Sequence, residues 1–112
     1  MSNELLKKKC IPCEAGVEPF TDVEVRTYMP DVPGWEVNDN STEISREYKF
    51  KDFIGAINFV NKVAEIAEDE GHHPDIEIHW NRVRLTNTTH AIKGLSENDF
   101  ILAAKIDASI GK

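Results

Sequence analysis

The most regular pattern of apolar positions lies between residues 53 and 70 and predicts an amphipathic helix. Asp52 is suited to cap the start of this helix, and Gly71 is suited to end it. Asn, Lys, Glu and Asp side chains fill the opposite side. The apolar residues recur at spacings of three and four, which places them on one stripe: Phe53, Ile57, Val60, Ala64 and Ala67.

Alternating apolar and polar residues predict four short strands in two hairpins. The first pair lies at about 35–38 and 44–50, separated by an Asn-Asp-Asn turn. The second pair lies at about 75–80 and 83–87. In the third strand Ile76, Ile78 and Trp80 share one face, while Glu77 and His79 share the solvent-side face.

Two further helices are predicted by their start signals. Thr21 and Glu24 form a capping box for a short helix that ends before Pro30. Ser96 and Asp99 form a variant of that box for a last helix at about 97–110. The order helix, two strands, helix, two strands, helix predicts an α+β fold, a four-stranded antiparallel sheet with three helices packed on one face.

Residues 1–20 are interpreted as an irregular N-terminal arm, and residues 21–112 as the domain. The arm contains Cys10 and Cys13, the only cysteines. A C-x-x-C pair is typical of half a zinc site or of a redox pair. Because no second pair is present, two reduced thiols are the favoured interpretation, and we expect both to be dispensable.

Length and charge limit the classes of function. The chain has 112 residues, the size of one domain, and its formal net charge is -7. This charge argues against nucleic acid and acidic membranes as partners, because both require a surplus of cations. The chain has no apolar run long enough to span a bilayer and no recognisable secretory signal, so we expect a cytoplasmic protein.

The histidines are the candidates for chemistry. His72 and His73 follow the long helix, and His90 follows the last strand. Histidine is suited to proton transfer near neutral pH, and loops on a rigid scaffold often carry function. His79 lies within a strand on the polar face and is interpreted as a surface residue. The alternative for His72 is that it complements the dipole of the helix before it.

A metal site competes with proton transfer as an interpretation of these residues. Glu68, His72, His73 and His90 are all potential ligands, and Glu68 and His72 are one helical turn apart. However, adjacent histidines point apart, and no H-E-x-x-H motif or second C-x-x-C pair is present. We therefore favour a site without metal.

The spacing of these residues resembles the signature of the pterin-4a-carbinolamine dehydratase family. The residues that match are Glu68, His72-His73-Pro74, Trp80, His90 and Asp99. The resemblance extends over about residues 20–110, through Pro33-Gly34-Trp35, Gly71-His72-His73-Pro74-Asp75 and Gly94-Leu95-Ser96-Glu97.

The resemblance implies a reaction. Members of the family dehydrate a 4a-hydroxytetrahydropterin to the quinonoid dihydropterin, which recycles the cofactor of aromatic amino-acid hydroxylases. Loss of water needs one proton delivered to the 4a-hydroxyl and one removed from N5, which two histidines can do without a metal or organic cofactor. By resemblance, His72 and His90 are the acid/base pair and His73 is a catalytic residue that orders the site. Which histidine is the acid is left open.

The resemblance also implies how the substrate is held. Substrate-binding positions are expected at Glu68, in the backbone at Pro74, and in the segment of Thr89, Ala91 and Ile92. Glu68 is expected to orient His72 or to face the ring, with a solvated carboxylate as the alternative. Possible support comes from Trp35, as a pocket wall or a core residue like Trp80, and from Asp99, for which helix capping alone would be sufficient.

Two alternatives to this function remain open at the sequence level. One is a non-enzymatic dimerisation or assembly factor of the same fold, although such a protein would be expected to lose the histidines. The other is an enzyme acting on another pterin. We expect a homodimer or homotetramer, because the last helix is apolar on more than one face and strand 44–50 offers a possible unpaired edge.

Overall fold

The fold is built around a four-stranded antiparallel sheet. The structure is a computed structural model and describes residues 4–11 and 17–110. The strands are β1 (Glu36–Val37), β2 (Ile44–Lys49), β3 (Asp75–His79) and β4 (Arg82–Asn87), in the order β1-β2-β4-β3. The second strands of the two hairpins, β2 and β4, pair along their whole length. This pairing joins the hairpins into one sheet.

Three α-helices complete the fold: α1 (Asp22–Tyr28), α2 (Phe53–Glu70) and α3 (Glu97–Ile110). The side chain of Asp52 caps α2 by accepting a hydrogen bond from the Gly55 amide at 2.8 Å. At the other end Gly71 has φ +71°, a left-handed conformation that glycine adopts at low cost, and its amide closes the helix on Ala67. Both boundaries were predicted by the cap residues.

The core lies between α2, α3 and one face of the sheet. Tyr48 of β2 and Leu85 of β4 point to this face and are buried, whereas Glu47 and Arg84 point to the open face and are exposed. α1 joins the core through Tyr28, whose ring centroid lies 5.1 Å from that of Phe100 in α3. The α+β fold predicted from the sequence is confirmed.

The sequence suggested two surfaces for contact with a partner subunit, the apolar breadth of α3 and the edge of the strand at residues 44–50. The apolar breadth of α3 is buried within the chain itself, because this helix is packed by the sheet, α2 and the N-terminal residues. The expected unpaired edge at residues 44–50 is present in part: β4 pairs with all of β2 on one side, whereas β1 pairs only with Ile44 and Ser45 on the other. β3 is the outer strand on the other side of the sheet, and its apolar residues Ile76 and Ile78 are partly exposed.

The expectation of a buried Trp80 is also wrong. Trp80 lies in the turn between β3 and β4 with φ +55°, and its side chain is 69% exposed. The turn takes up this residue because β3 ends at His79, one residue earlier than the alternation suggested. Hydrophobic alternation alone does not locate the end of a strand.

The described part of the N-terminal arm is packed on the domain. Residues Glu4–Lys7 form a short 3-10 helix, and Leu5 is buried in the core beside α3. Lys8 pairs with Glu97 at 2.7 Å, so this part of the lysine run is attached to α3 instead of being only solvated. Residues 4–8 of the arm are therefore held against the core and the start of α3.

Candidate active site

The ends of α2 and β4 meet at a cavity of about 380 Å³. Gly71, His72 and His73, which follow α2, line one side of it. Residues 88–91, which follow β4 and include His90, line another side. Ile11 and Asn98 complete the lining. The three histidines selected from the sequence, although distant along the chain, thus border one small space.

His72 is oriented by a buried carboxylate. Its Nε2 lies 2.6 Å from Oδ1 of Asp99, which has no solvent exposure. An ionised carboxylate only accepts hydrogen bonds, so the pairing places the ring proton on Nε2 of His72. The other nitrogen, Nδ1, has no hydrogen bond to the described residues and is the atom available to exchange a proton with a bound molecule.

The carboxylate of Asp99 is itself held in place on its other oxygen. Oδ2 accepts hydrogen bonds from the Thr89 hydroxyl at 2.8 Å and from the Ser96 amide at 2.9 Å. Because the single proton of the Thr89 hydroxyl points to Asp99, the Ser96 hydroxyl is the donor in the 2.9 Å contact between them. Asp99 therefore has both roles, as a cap of α3 and as the partner of His72.

Glu68 is paired with His73 and not with His72. Its Oε2 lies 2.7 Å from Nε2 of His73, and both side chains are largely exposed. The expectation that Glu68 orients His72 is therefore wrong, because the left-handed turn at Gly71 carries His72 toward α3 and leaves His73 beside the helix. An exposed pair of this kind contributes only about 0–1 kcal/mol.

His90 is presented by a closed loop after β4. Thr89 and Gly94 exchange backbone hydrogen bonds, the closer at 2.9 Å, and the loop between them turns through a 3-10 helix at His90–Ile92. Gly94 is required for packing here, since a Cβ at this position would lie 2.6 Å from Cβ of Pro19. The His90 side chain is exposed and has no hydrogen bond to residues 4–11 or 17–110.

Several sequence candidates lie outside the cavity lining. Ala91 and Thr89 border the cavity, but Pro74, Ile92 and Glu68 are not among the residues that line it. Trp35 is a core residue, with its indole N–H bonded to Asp107 at 2.9 Å, and it does not line the cavity either. The structure thus supports the core interpretation of Trp35.

Four lining residues were not selected from the sequence as site residues: Ile11, Gly71, Thr88 and Asn98. Thr88 and Gly71 are neighbours of selected residues, so proximity alone would have found them. Asn98 had a usable signal, because it is a polar residue beside Asp99 in the first turn of α3. Ile11 had none, since an isolated apolar residue in an arm carries no periodic pattern.

The described residues contain neither a cluster of metal ligands nor a helix that could span a membrane. Within residues 4–11 and 17–110, no three His, Cys, Asp or Glu side chains converge as metal ligands. In the same part of the chain, no helix has the length and apolar character needed to cross a bilayer. Cys13 lies outside the described residues, so the Cys10–Cys13 pair has no structural description.

Cys10 is predicted to be unreactive in the folded protein. Burial, together with the nearby Glu70 carboxylate, raises the pKa of the Cys10 thiol to about 12, and the thiolate is the reactive form. In a Cys13→Ser variant, Cys10 should react with a disulfide reagent at pH 8 at least about 10²-fold more slowly than in denaturant. Equal rates for folded and unfolded protein would contradict this.

Comparison with known proteins places this architecture in one family. The model of the family described as pterin 4 alpha carbinolamine dehydratase matches residues 18–109. A provisionally named pterin-4-alpha-carbinolamine dehydratase from Azoarcus sp. strain BH72 is 45% identical, over 99% of this chain and 95% of its own. A protein with the same provisional name from Methylococcus capsulatus is 47% identical, over 92% of this chain and 90% of its own.

Solved structures agree with this assignment. The crystal structure of a transcriptional coactivator/pterin dehydratase from Brucella melitensis superposes with a TM-score of 0.78 at 35% identity, covering 84% of this chain and all of that one. A pterin dehydratase-like RuBisCO assembly factor of the alpha-carboxysome superposes with a TM-score of 0.60 at 21% identity, covering 70% and 92%, and shares the fold. The chain belongs to the pterin-4a-carbinolamine dehydratase family.

Proposed function

We propose that this protein dehydrates a 4a-hydroxytetrahydropterin to the quinonoid dihydropterin and water, with His72 and His90 as the proton-transfer pair. The reaction would recycle the tetrahydropterin cofactor, for example of an aromatic amino-acid hydroxylase, in the cytoplasm. The observation that carries the proposal is the shared cavity of His72 and His90, with the His72 ring fixed by buried Asp99.

The chemistry matches this arrangement. The bond between C4a and the hydroxyl oxygen breaks, and the oxygen leaves as water after receiving a proton from one histidine. The proton on N5 passes to the second histidine, and the N5 electron pair forms the new double bond to C4a. The acid histidine then regains a proton and the base histidine releases one, by exchange with solvent, which reaches exposed His90 directly. General acid–base help of this kind is typically worth about 10²- to 10⁴-fold.

His73 and residues 88–91 have supporting roles in this proposal. His73 borders the cavity and is held by Glu68, so it orders the site instead of exchanging the essential protons. Residues 88–91 line a further side of the cavity. Because the Thr89 backbone pairs with Gly94, the peptide groups of Ala91 are the ones that this loop can offer to the polar edge of the ring. No metal or organic cofactor is needed for proton transfer of this type.

A direct assay tests the proposal. 4a-Hydroxytetrahydrobiopterin would be generated in situ and its loss of water followed by absorbance, with and without the protein. A rate increase that is proportional to protein concentration and saturates with pterin would support the proposal. No acceleration, for this pterin or for one with another C6 substituent, would favour a non-catalytic assembly role for this chain.

We also propose that the protein forms a homodimer or homotetramer with the outer edge of β3 in the interface. Within residues 4–11 and 17–110, β3 has no neighbouring strand on its outer side, and its residues Ile76 and Ile78 are partly exposed. Two copies related by a two-fold axis can pair such edges antiparallel and extend the sheet.

Light scattering at micromolar concentration should therefore give a dimer or tetramer for the wild-type protein. Ile78→Asp should shift this assembly toward smaller species, because the new charge would have to be buried. Val23→Asp, a change at an exposed apolar residue of α1, serves as the control and should leave the assembly unchanged. A monomeric wild-type protein would refute the proposed interface.

A further inference from the structure

Ile11 gives the cavity its only large aliphatic surface among the described residues. The other side chains lining it are imidazoles, hydroxyls, one amide and one methyl group, and Gly71 has none. Ile11 is 69% exposed, so it leaves apolar surface available at the cavity among the described residues. A pterin is a flat bicyclic ring with polar groups around its edge and two faces suited to apolar contact.

Asn98 holds Ile11 in this position. The side-chain amide of Asn98 donates from Nδ2 to the Ile11 carbonyl and accepts from the Ile11 amide at 3.0 Å. This two-way pairing imitates one rung of a β-sheet, and Asn98 itself is buried. Because the contact uses the backbone of Ile11, it fixes the position of the residue and leaves its side chain free for a ligand.

The backbone contact between Asn98 and Ile11 is one anchor of the arm, and a second anchor lies one residue earlier, at Cys10. The Cys10 amide donates to Oε1 of buried Glu70 at 2.9 Å, and Oε2 of Glu70 pairs with Lys105 at 2.6 Å. Burial disfavours the Glu70 charge, but Lys105, the Cys10 amide and Lys9 outweigh it and lower the Glu70 pKa below its usual value. Glu70 therefore stays ionised and keeps the arm attached at neutral pH.

The two anchors belong to the same helix ends that carry the site. Glu70 is the last residue of α2, directly before Gly71 and His72. Asn98 directly precedes Asp99 in the first turn of α3. The arm is thus tied to the structures that position the His72–Asp99 pair, and it reaches the cavity at Ile11.

We infer that the N-terminal arm is a wall of the pterin site, in which Ile11 contacts the face of the bound ring and Asn98 is the residue that positions Ile11. This inference depends on the proposed function for the identity of the ligand. It assigns substrate binding to a segment outside residues 18–109, the part of the chain that matches the family model.

Truncation of Ile11 tests the contact. Ile11→Ala should raise both KM and the Kd for 7,8-dihydrobiopterin, measured by titration calorimetry, by about tenfold, with kcat changed less than about twofold. Ile11→Leu should keep near wild-type affinity. The matched control is Ile54→Ala, at a residue of α2 that is 64% exposed and does not line the cavity, and it should change neither constant.

A double-mutant cycle tests the positioning role of Asn98. Asn98→Ala should raise KM and Kd in the same direction as Ile11→Ala, because the wall is released. The Ile11→Ala, Asn98→Ala double variant should bind no more weakly than Asn98→Ala alone, since the contact is already lost. Additive effects of the two changes would show that Asn98 acts independently of Ile11 and would overturn its role.

The outcomes separate this inference from the proposed reaction. The wild-type protein could turn over the substrate while Ile11→Ala keeps wild-type KM and Kd. That result would refute the role of Ile11 as a wall of the site and leave the dehydratase proposal unaffected. Binding of 7,8-dihydrobiopterin that weakens in Ile11→Ala, without any turnover by the wild-type protein, would support the wall and refute the reaction. Absence of dihydrobiopterin binding by the wild-type protein would overturn the wall.

Discussion

Replacing His72 or His90 with alanine is expected to lower kcat/KM for a 4a-hydroxytetrahydropterin by about 10²- to 10⁴-fold each. The reason is that each variant loses one of the two histidines that border the cavity and are proposed to transfer protons. The double replacement should cost less than the product of the two single effects, because the residues act together on one step. Steady-state kinetics of the three variants measure both quantities.

His79→Ala is the control for these variants. His79 lies on the open face of the sheet, beside Glu77 and Arg82, and is exposed as the strand alternation predicted. Its removal should leave kcat/KM and the unfolding temperature near wild type. A loss of activity in His79→Ala equal to that in His72→Ala would show that the effects do not arise from the proposed site.

Asp99→Asn is expected to lower kcat by about 10²- to 10⁴-fold with little change in KM. Three donors surround the Asp99 carboxylate: His72 Nε2, the Thr89 hydroxyl and the Ser96 amide. An amide has only one acceptor oxygen, so its NH₂ group must face either His72 or the Thr89–Ser96 side. The first arrangement reverses the tautomer of His72, and the second leaves buried donors unpaired.

The same substitution should lower the free energy of unfolding by about 1–3 kcal/mol, the usual cost of an unpaired buried polar group. Asp107→Asn separates this loss of stability from the loss of chemistry. Asp107 lies on the same helix and also accepts three hydrogen bonds, from Trp35, Arg46 and Tyr48. It does not line the cavity of the histidines.

We therefore expect Asp107→Asn to be destabilised in denaturant unfolding but to keep its kcat. Burial, followed by the hydrogen bond to Asp107, raises the pKa of the Tyr48 phenol, which keeps it a proton donor to this carboxylate. Equal losses of kcat in the two Asn variants at a temperature where both are folded would contradict the special role of Asp99.

The helices of this fold could be predicted from the sequence because their ends carry local signals. The predicted bounds of α2 agree with Phe53–Glu70, since Asp52 and Gly71 satisfy backbone groups at the two ends. The capping box of Thr21 and Glu24 is present at the start of α1. Such signals depend on residues only three or four positions apart.

The arrangement of the sheet could not be predicted in the same way. The pairing of β2 with β4 joins residues that are far apart in sequence, and local alternation is the same for an inner and an outer strand. Alternation therefore could not show that residues 44–49 pair fully with β4 on one side but only at Ile44 and Ser45 with β1 on the other. The breadth of the apolar surface on α3 was also ambiguous, because a buried helix and a subunit interface have the same sequence pattern.

The candidate site shows the same division between local and long-range information. Its histidines were found because their residue type and spacing are distinctive. The resemblance gave Glu68 as one possible partner of His72, whereas the left-handed residue Gly71 redirects the chain and brings His72 to Asp99. The wall at Ile11 depends on the contact with Asn98, which no spacing rule predicts.

The rate of water loss from 4a-hydroxytetrahydrobiopterin, measured side by side for the wild-type protein and the His72→Ala, His90→Ala double variant, tests the proposed site most directly. We expect the wild-type protein to accelerate the reaction and the double variant, folded and assembled like the wild type, to lose most of that acceleration. A double variant with full wild-type activity would contradict proton transfer by these histidines.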